Sequence, residues 1–197
     1  MTTAEILIPQ HRFTVGRIGD APINAMLHGV RADILYSSPP WDDAHVMMAM
    51  GQRHSFAAFF ESICGIVADH VDGWVFIECG EATADAAAAR LSAVCKDVTL
   101  VSTTYGPVRS QRPAKLMVGH TRKAVRRVWR PDELWLHGGS RQPRGCIGSV
   151  SEPGQILLDP CCTNVYQAAA ALKLKLAFYG NDHNPRRAAR IRTMLEG

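Results

Sequence analysis

The chain has 197 residues, 47% apolar and 20% charged, with a formal net charge of +4, a size and balance that fit one soluble globular domain. No apolar run approaches the roughly 18 residues of a membrane span, and the start, Met1-Thr2-Thr3-Ala4-Glu5, lacks the basic-then-apolar pattern of a secretory signal. Its six cysteines show no C-x-x-C spacing, so a cytoplasmic protein with reduced thiols is expected, without a disulfide framework or a metal site.

Residues 13–18 alternate apolar and polar side chains and end at Gly19-Asp20, which predicts a strand with a carboxylate at its tip. A short helical turn is expected over 25–29. Ile34-Leu35-Tyr36 then reads as a buried strand that stops at Pro39-Pro40 and delivers Trp41. Neither proline has an N–H, so the ladder cannot run through them, and Ser38 is held extended by the proline after it. Such a corner offers a hydroxyl, backbone carbonyls and an indole, which suits a flat substrate bearing an amine. The same residues would also serve as an ordinary strand exit with a core Trp.

Phe56, Phe59, Phe60, Ile63, Ile66 and Val67 recur at helical spacing and predict an amphipathic helix over 53–69. Asp72-Gly73 is expected to turn the chain into a strand at 74–77, whose continuous apolar run suits burial on both faces. An alanine-rich helix over 81–94 and a strand at 98–101 follow, with shorter strand candidates at 116–118 and 134–136. Residues 155–158 predict a strand running into Asp159-Pro160. A helix over 166–176, a strand at 177–180 and a closing helix over 185–195, with Pro185 in its first turn, complete the chain. Strands alternating with helices predict one α/β domain: an open, mostly parallel sheet with helices on both faces. Ligands bind at the carboxyl ends of such strands. Four ends carry chemistry-capable groups: Asp20, Ser38 to Trp41, Asp159-Pro160 and Asp182.

That set resembles the S-adenosylmethionine-dependent DNA amino-methyltransferases (N4-cytosine/N6-adenine type), in the circularly permuted β arrangement. Ser38-Pro39-Pro40-Trp41 fits their motif of Asp/Asn/Ser-Pro-Pro-aromatic, and Arg17-Ile18-Gly19-Asp20 resembles the Gly-Asp element before it. Gly73-Trp74-Val75-Phe76-Ile77-Glu78 is similar to the family's next strand. Pro153 to Pro160 resembles the strand of the cofactor motif D-P-F-x-G-x-G, and Gly180-Asn181-Asp182-His183-Asn184-Pro185 is similar to Gly-x-Asp/Glu-x-Asn-Pro. The resemblance spans about residues 13–195. It implies the class I methyltransferase fold in a permuted, Rossmann-like order.

The resemblance also implies roles. Ser38, Pro39, Pro40 and Trp41 would be catalytic: Ser38 and the Pro39 carbonyl accept from the target amine, and Trp41 stacks on a flipped base. Asp182 would accept from the cofactor's ribose hydroxyls, with Asn184 beside it, and Asp20 would contact the adenine amine. Asp159, Pro160, Cys161, Cys162, Thr163 and Asn164 would hold the methionine end. The chain departs from the pattern here, because Cys161-Cys162-Thr163-Asn164-Val165 replaces the glycine turn. Glycines allow close backbone approach, which valine cannot imitate, whereas Asn164 tolerates a left-handed conformation. The two cysteines are expected to be buried packing thiols.

Ten Lys and Arg against two acids give residues 105–145 a net charge of +8, whereas the whole chain is +4, so the remainder is −4 and the positive field is local. Arg109, Arg112, Lys115, Arg122, Lys123, Arg126, Arg127 and Arg130 are expected to contact nucleic-acid phosphates, with DNA the expected partner. The segment is small for a recognition domain, so a second subunit is a possible partner for sequence reading. Arg186, Arg187, Arg190 and Arg192 are expected to form a solvated helical face. The function expected is methyl transfer to an exocyclic amine of a base, leaning to N4 of cytosine because serine leads the motif. Two alternatives stand beside it: a non-catalytic nucleic-acid-binding protein on this fold, and methylation of a protein amide or small amine.

Overall fold

The structure, a computed structural model, describes residues 11–50, 54–105, 111–121, 129 and 139–196. Among these residues, seven strands form one sheet in the order β1-β7-β6-β2-β3-β5-β4. These are β1 (Arg12–Val15), β2 (Ala32–Ser37), β3 (Val71–Cys79), β4 (Cys95–Tyr105), β5 (Arg112–Thr121), β6 (Ile156–Asp159) and β7 (Ala177–Asp182). Every pairing from β1 across to β3 is parallel, and β5 runs antiparallel to both of its neighbours. The sheet is therefore mostly parallel, with β5 the reversed strand.

Both faces are covered, as such a sheet requires. One apolar cluster joins α1 (Ala21–Leu27), α3 (Phe56–His70) and α4 (Glu81–Leu91) to the sheet. The other joins α5 (Arg141–Val150), α6 (Tyr166–Leu174) and α7 (Pro185–Glu196) to the opposite face. In α3 the predicted stripe is the buried one: Phe56, Phe59, Phe60, Ile63, Cys64 and Val67 face inward. Each large side chain buried there contributes about 1.5–3 kcal/mol. Ser55 starts this helix by accepting a hydrogen bond from the Ala58 amide at 3.2 Å.

Three local expectations are corrected. Asp72-Gly73 is not a turn, because β3 begins at Val71 and runs directly out of α3. The β2–β3 register slips there, between Ala32 opposite Val71 and Ile34 opposite Trp74, so Gly73 sits in a bulge. A β-carbon on it would lie 2.0 Å from the Asp33 carbonyl oxygen, which only glycine avoids. Two helices also stand where none was expected, α2 (Asp43–Met50) and α5. Pro143 falls in the first turn of α5, where it costs no hydrogen bond, and Gln142, Pro143, Cys146, Ile147 and Val150 are buried. The strand expected over 134–136 lies outside the described residues.

β6 and β2 are neighbours at the middle of the sheet, with Leu157 opposite Ile34 and Leu158 opposite Leu35. From β6 the chain moves outward to β7, and from β2 it moves the other way to β3. The connections diverge at this pair, so the crevice at its carboxyl ends is the topological switch point of the sheet. Asp159 and Ser37 stand there.

Candidate active site

The end of β2 is built as its sequence suggests. Tyr36, Ser37 and Ser38 are buried, and the chain leaves through Pro39 and Pro40 to Trp41. Trp41 packs beside Gly80, and its ring meets Tyr105 edge-on with centroids 4.7 Å apart. Thr83 holds the turn by donating to the Trp41 carbonyl at 2.6 Å.

Behind Ser38 lies a buried polar network that the sequence reading assigned no role. Ser38 Oγ donates to Glu78 Oε2, and Tyr36 donates to Glu78 Oε1 at 2.7 Å. Gln142 Nε2 reaches Glu78 Oε1 at 2.9 Å and the Tyr36 hydroxyl at 3.1 Å, while Thr103 donates to Gln142 Oε1. Burial raises the Glu78 carboxyl above its ordinary range, against the pull of the Ser38, Tyr36 and Gln142 hydrogen bonds. The Ser38 proton points into this network, so its lone pairs are free to accept. The signal for Glu78 was present in the sequence: a carboxylate closing the apolar run of β3, the same strand-end pattern that singled out Asp159 and Asp182.

At the end of β6, Asp159 is fully buried and accepts from Ser37 Oγ at 2.8 Å and from the Cys161 amide at 3.1 Å. Its other oxygen, Oδ2, has no hydrogen-bond partner among the described residues, and burial pushes the carboxyl up to about 7. The loop after it makes no use of left-handed backbone, since none of residues 161–165 has a positive φ. Asn164 instead accepts from the Tyr166 amide at 2.7 Å, forming the turn into α6. Burial raises the thiols of Cys161 and Cys162 well above their usual range.

At the end of β7, Asp182 is buried and doubly engaged by one arginine. Arg187 donates from Nε to Oδ2 at 2.7 Å and from Nη2 to Oδ1 at 3.0 Å, and the Asn184 amide donates to Oδ1 at 2.7 Å. Arg187 is therefore not part of a solvated face. The Asn184 side chain caps the first turn of α7, accepting from the Arg186 amide at 3.0 Å. The turn before Asp20, through Gly16, Arg17 and Ile18, lines the small cleft described next, while Asp20 itself does not. Asp20 is exposed, accepts from the Arg17 amide at 2.8 Å, and lines neither cavity. It is a turn former.

A cavity of about 490 Å³ opens in front of Ser38, Pro39, Pro40 and Trp41. Its described lining includes Arg112, Arg187, His45 and His183 and contains no carboxylate. A smaller cleft of about 50 Å³ lies beside Pro160 to Thr163 and Asp182. The two share Pro40, Ala49, Thr163, His183 and Arg187 in their walls. Of the basic residues singled out in the sequence, Arg112 reaches the large cavity, while Lys115 lines neither. Its ammonium lies 2.9 Å from Ser102 Oγ and 3.7 Å from Glu81. Arg109, Arg122, Lys123, Arg126, Arg127 and Arg130 lie outside the described residues.

No protein-family model and no curated protein matches the sequence. Solved structures do. The crystal structure of M1.HpyAVI superposes with a TM-score of 0.69 at 14% identity, over 95% of this chain and 100% of that one. A Thermus thermophilus protein, TTHA0409, complexed with S-adenosyl-L-methionine gives 0.64 at 14% identity, over 94% and 93%. The cytosine-N4-specific PvuII DNA methyltransferase gives 0.60 at 10% identity, over 93% and 88%. This chain has the DNA methyltransferase fold. At these identities the likeness is one of architecture, and the switch-point crevice between β2 and β6 is where open α/β sheets bind ligands. Among the described residues, no helix is long and apolar enough to cross a membrane.

Proposed function

We propose that this protein transfers a methyl group from S-adenosylmethionine to an exocyclic amine of a nucleic-acid base, with DNA as substrate and N4 of cytosine as the favoured position. The observation that carries this is the Ser38–Glu78 hydrogen bond at the foot of a cavity walled by Trp41. The similar structures that include an S-adenosyl-L-methionine complex and a cytosine-N4-specific enzyme support it.

The residues present suit a cationic, hydroxyl-bearing nucleoside in kind. Asp182 is an anionic acceptor at a strand end, and Asp159 Oδ2 is a buried acceptor left without a partner among the described residues. Asp182 would hold the ribose, and Asp159 with the Pro160 to Thr163 loop the amino-acid end. When bound, the cofactor supplies an electrophilic methyl group.

The chain's own residues do the rest. Trp41 offers its face to a flat base, and the proline corner fixes Ser38 at the strand end. Ser38 Oγ accepts an N–H of the target amine and orients the nitrogen lone pair away from itself. The nitrogen would become positive as it gains the methyl group and the methyl–sulfur bond breaks, with S-adenosylhomocysteine as leaving group; its proton would pass to Ser38 Oγ while the Ser38 proton passes to Glu78 Oε2. Burial makes Glu78 a stronger base than an exposed glutamate, which suits it to receive that proton. Arg112 in the lining favours a polyanion over a neutral protein amide.

A second reading, a nucleic-acid-binding protein without catalysis, is favoured by the Arg187 guanidinium seated on Asp182. One experiment separates them. The protein is incubated with labelled S-adenosylmethionine and unmodified DNA, single- and double-stranded, and the nucleosides are resolved by mass spectrometry. N4-methylcytosine is expected; N6-methyladenine would move the target base, and DNA binding without any methylated base would establish the second reading.

A further inference from the structure

Arg187 borders three cavities at once. It lines the small cleft at Asp182, the large cavity in front of Trp41, and a third recess of about 270 Å³ with Thr163, Asn164 and Arg190. Its side chain is 35% exposed, whereas that of Asp182 is 1% exposed. The guanidinium is thus the solvent-facing member of the pair, and the carboxylate the buried one.

The acceptor count at Asp182 leaves no room for a diol. An ionised carboxylate offers about four acceptor positions. Arg187 takes two of them and the Asn184 amide a third. Two ribose hydroxyls need two, and the adjoining cleft of about 50 Å³ is far too small for a nucleoside. A ribose at Asp182 therefore requires at least one Arg187 contact to break. A guanidinium donor freed in this way needs another acceptor. Among the spaces it already borders is the large cavity, whose described lining holds Arg112, His45 and His183 and no carboxylate. That lining complements a phosphate.

We propose that Arg187 couples the two sites. In the free protein it neutralises Asp182; when the cofactor's ribose takes Asp182, the guanidinium turns into the target cavity and holds a nucleic-acid phosphate. This rests on the methyltransferase reading above. Cofactor and DNA then assist each other through one side chain that has two alternative partners. By linkage the assistance is reciprocal.

The test is calorimetric titration with S-adenosylhomocysteine, which binds without reacting, in the absence and presence of a short mixed-sequence duplex. In the wild-type protein, nucleoside and DNA are each expected to tighten the other by the same factor, about fivefold or more. The salt slope of DNA binding should steepen by about one phosphate contact when the nucleoside is present. Arg187→Met keeps the aliphatic stem and loses the charge. It is expected to bind S-adenosylhomocysteine more tightly than wild type without DNA, and to show no mutual effect. Equal or weaker nucleoside binding, or coupling that persists, overturns the proposal and makes Arg187 a structural partner of Asp182.

Asp182→Asn supplies an independent arm, since it frees Arg187 without altering it. This variant should bind DNA alone as tightly as the wild-type nucleoside complex does, and unchanged DNA affinity overturns the proposal. If the folded wild-type protein and Arg187→Met both fail to bind S-adenosylhomocysteine, the cofactor reading itself fails and the coupling falls with it. Nucleoside binding without coupling removes only the role of Arg187.

Discussion

Ser37 Oγ donates to Asp159 Oδ1 at 2.8 Å, tying together the carboxyl ends of the two central strands. These residues are 122 positions apart in the chain, and their contact fixes the floor of the crevice. The other carboxylate oxygen has no hydrogen-bond partner among the described residues, so the native fold prefers this carboxyl neutral.

The pH dependence of stability follows. Burial, opposed by the Ser37 and Cys161 hydrogen bonds, raises Asp159 from 3.8 to about 7 in the folded protein. Between those values the native state keeps a proton that the unfolded chain has released. The site's contribution to stability is therefore full below about pH 4 and is lost as pH rises through about 7. Asp159→Asn, neutral throughout, should remove this slope. Urea unfolding midpoints of both proteins across that range check it, and parallel pH profiles would count against it.

Glu78→Gln removes the base behind Ser38 while keeping the shape and one acceptor of the side chain. Methyl transfer should fall about 100-fold, with S-adenosylhomocysteine affinity unchanged. Rate and affinity falling together would mark Glu78 as a support of the fold alone.

Trp41→Ala should lower methyl transfer far more than it lowers nucleoside binding, because the ring walls the target cavity and is absent from the small cleft. The loss of a stacked base is worth about 1–3 kcal/mol, read as a rise in KM for DNA. Equal loss of both would make Trp41 a core residue.

Gly73→Ala should destabilise the fold by about 3 kcal/mol or more, since its β-carbon would press on the Asp33 backbone carbonyl at 2.0 Å. Gly80→Ala is the control. Its β-carbon would meet Trp41 at 3.4 Å, an ordinary contact, and should change stability by less than about 1 kcal/mol. Thermal melts of the two variants decide it.

The sequence made the outline legible where local chemistry and burial agree. The stripe of α3, the apolar run of β3 and the proline stop after Ser38 each stand where their patterns put them. α2 was not legible because Val46, Met47, Met48 and Ala49 carry no helical stripe, and α5 because a proline and two glycines obscured it. Asp20 had the same strand-end signature as Asp182 but turns back on its own backbone. Arg187 looked like its neighbours Arg186, Arg190 and Arg192. Only the turn at Asn184 and Pro185, which folds α7 back over the end of β7, shows which of the four meets Asp182.

The place of β7 has a consequence for how the protein is made. β1 leaves the ribosome before the other strands of this sheet, yet its partner is β7, with Thr14 opposite Asn181. β6 likewise takes β7 on its outer side. A nascent chain halted before residue 177 would hold β2 and β3 together but leave β6 with a naked edge and β1 with nothing to pair. Such edges invite pairing with other chains. Synthesis must therefore run past β7 before the sheet can close. The crevice between β2 and β6 acquires its Asp182 wall only in that last step, so incomplete chains present aggregation-prone edges rather than a partial active site.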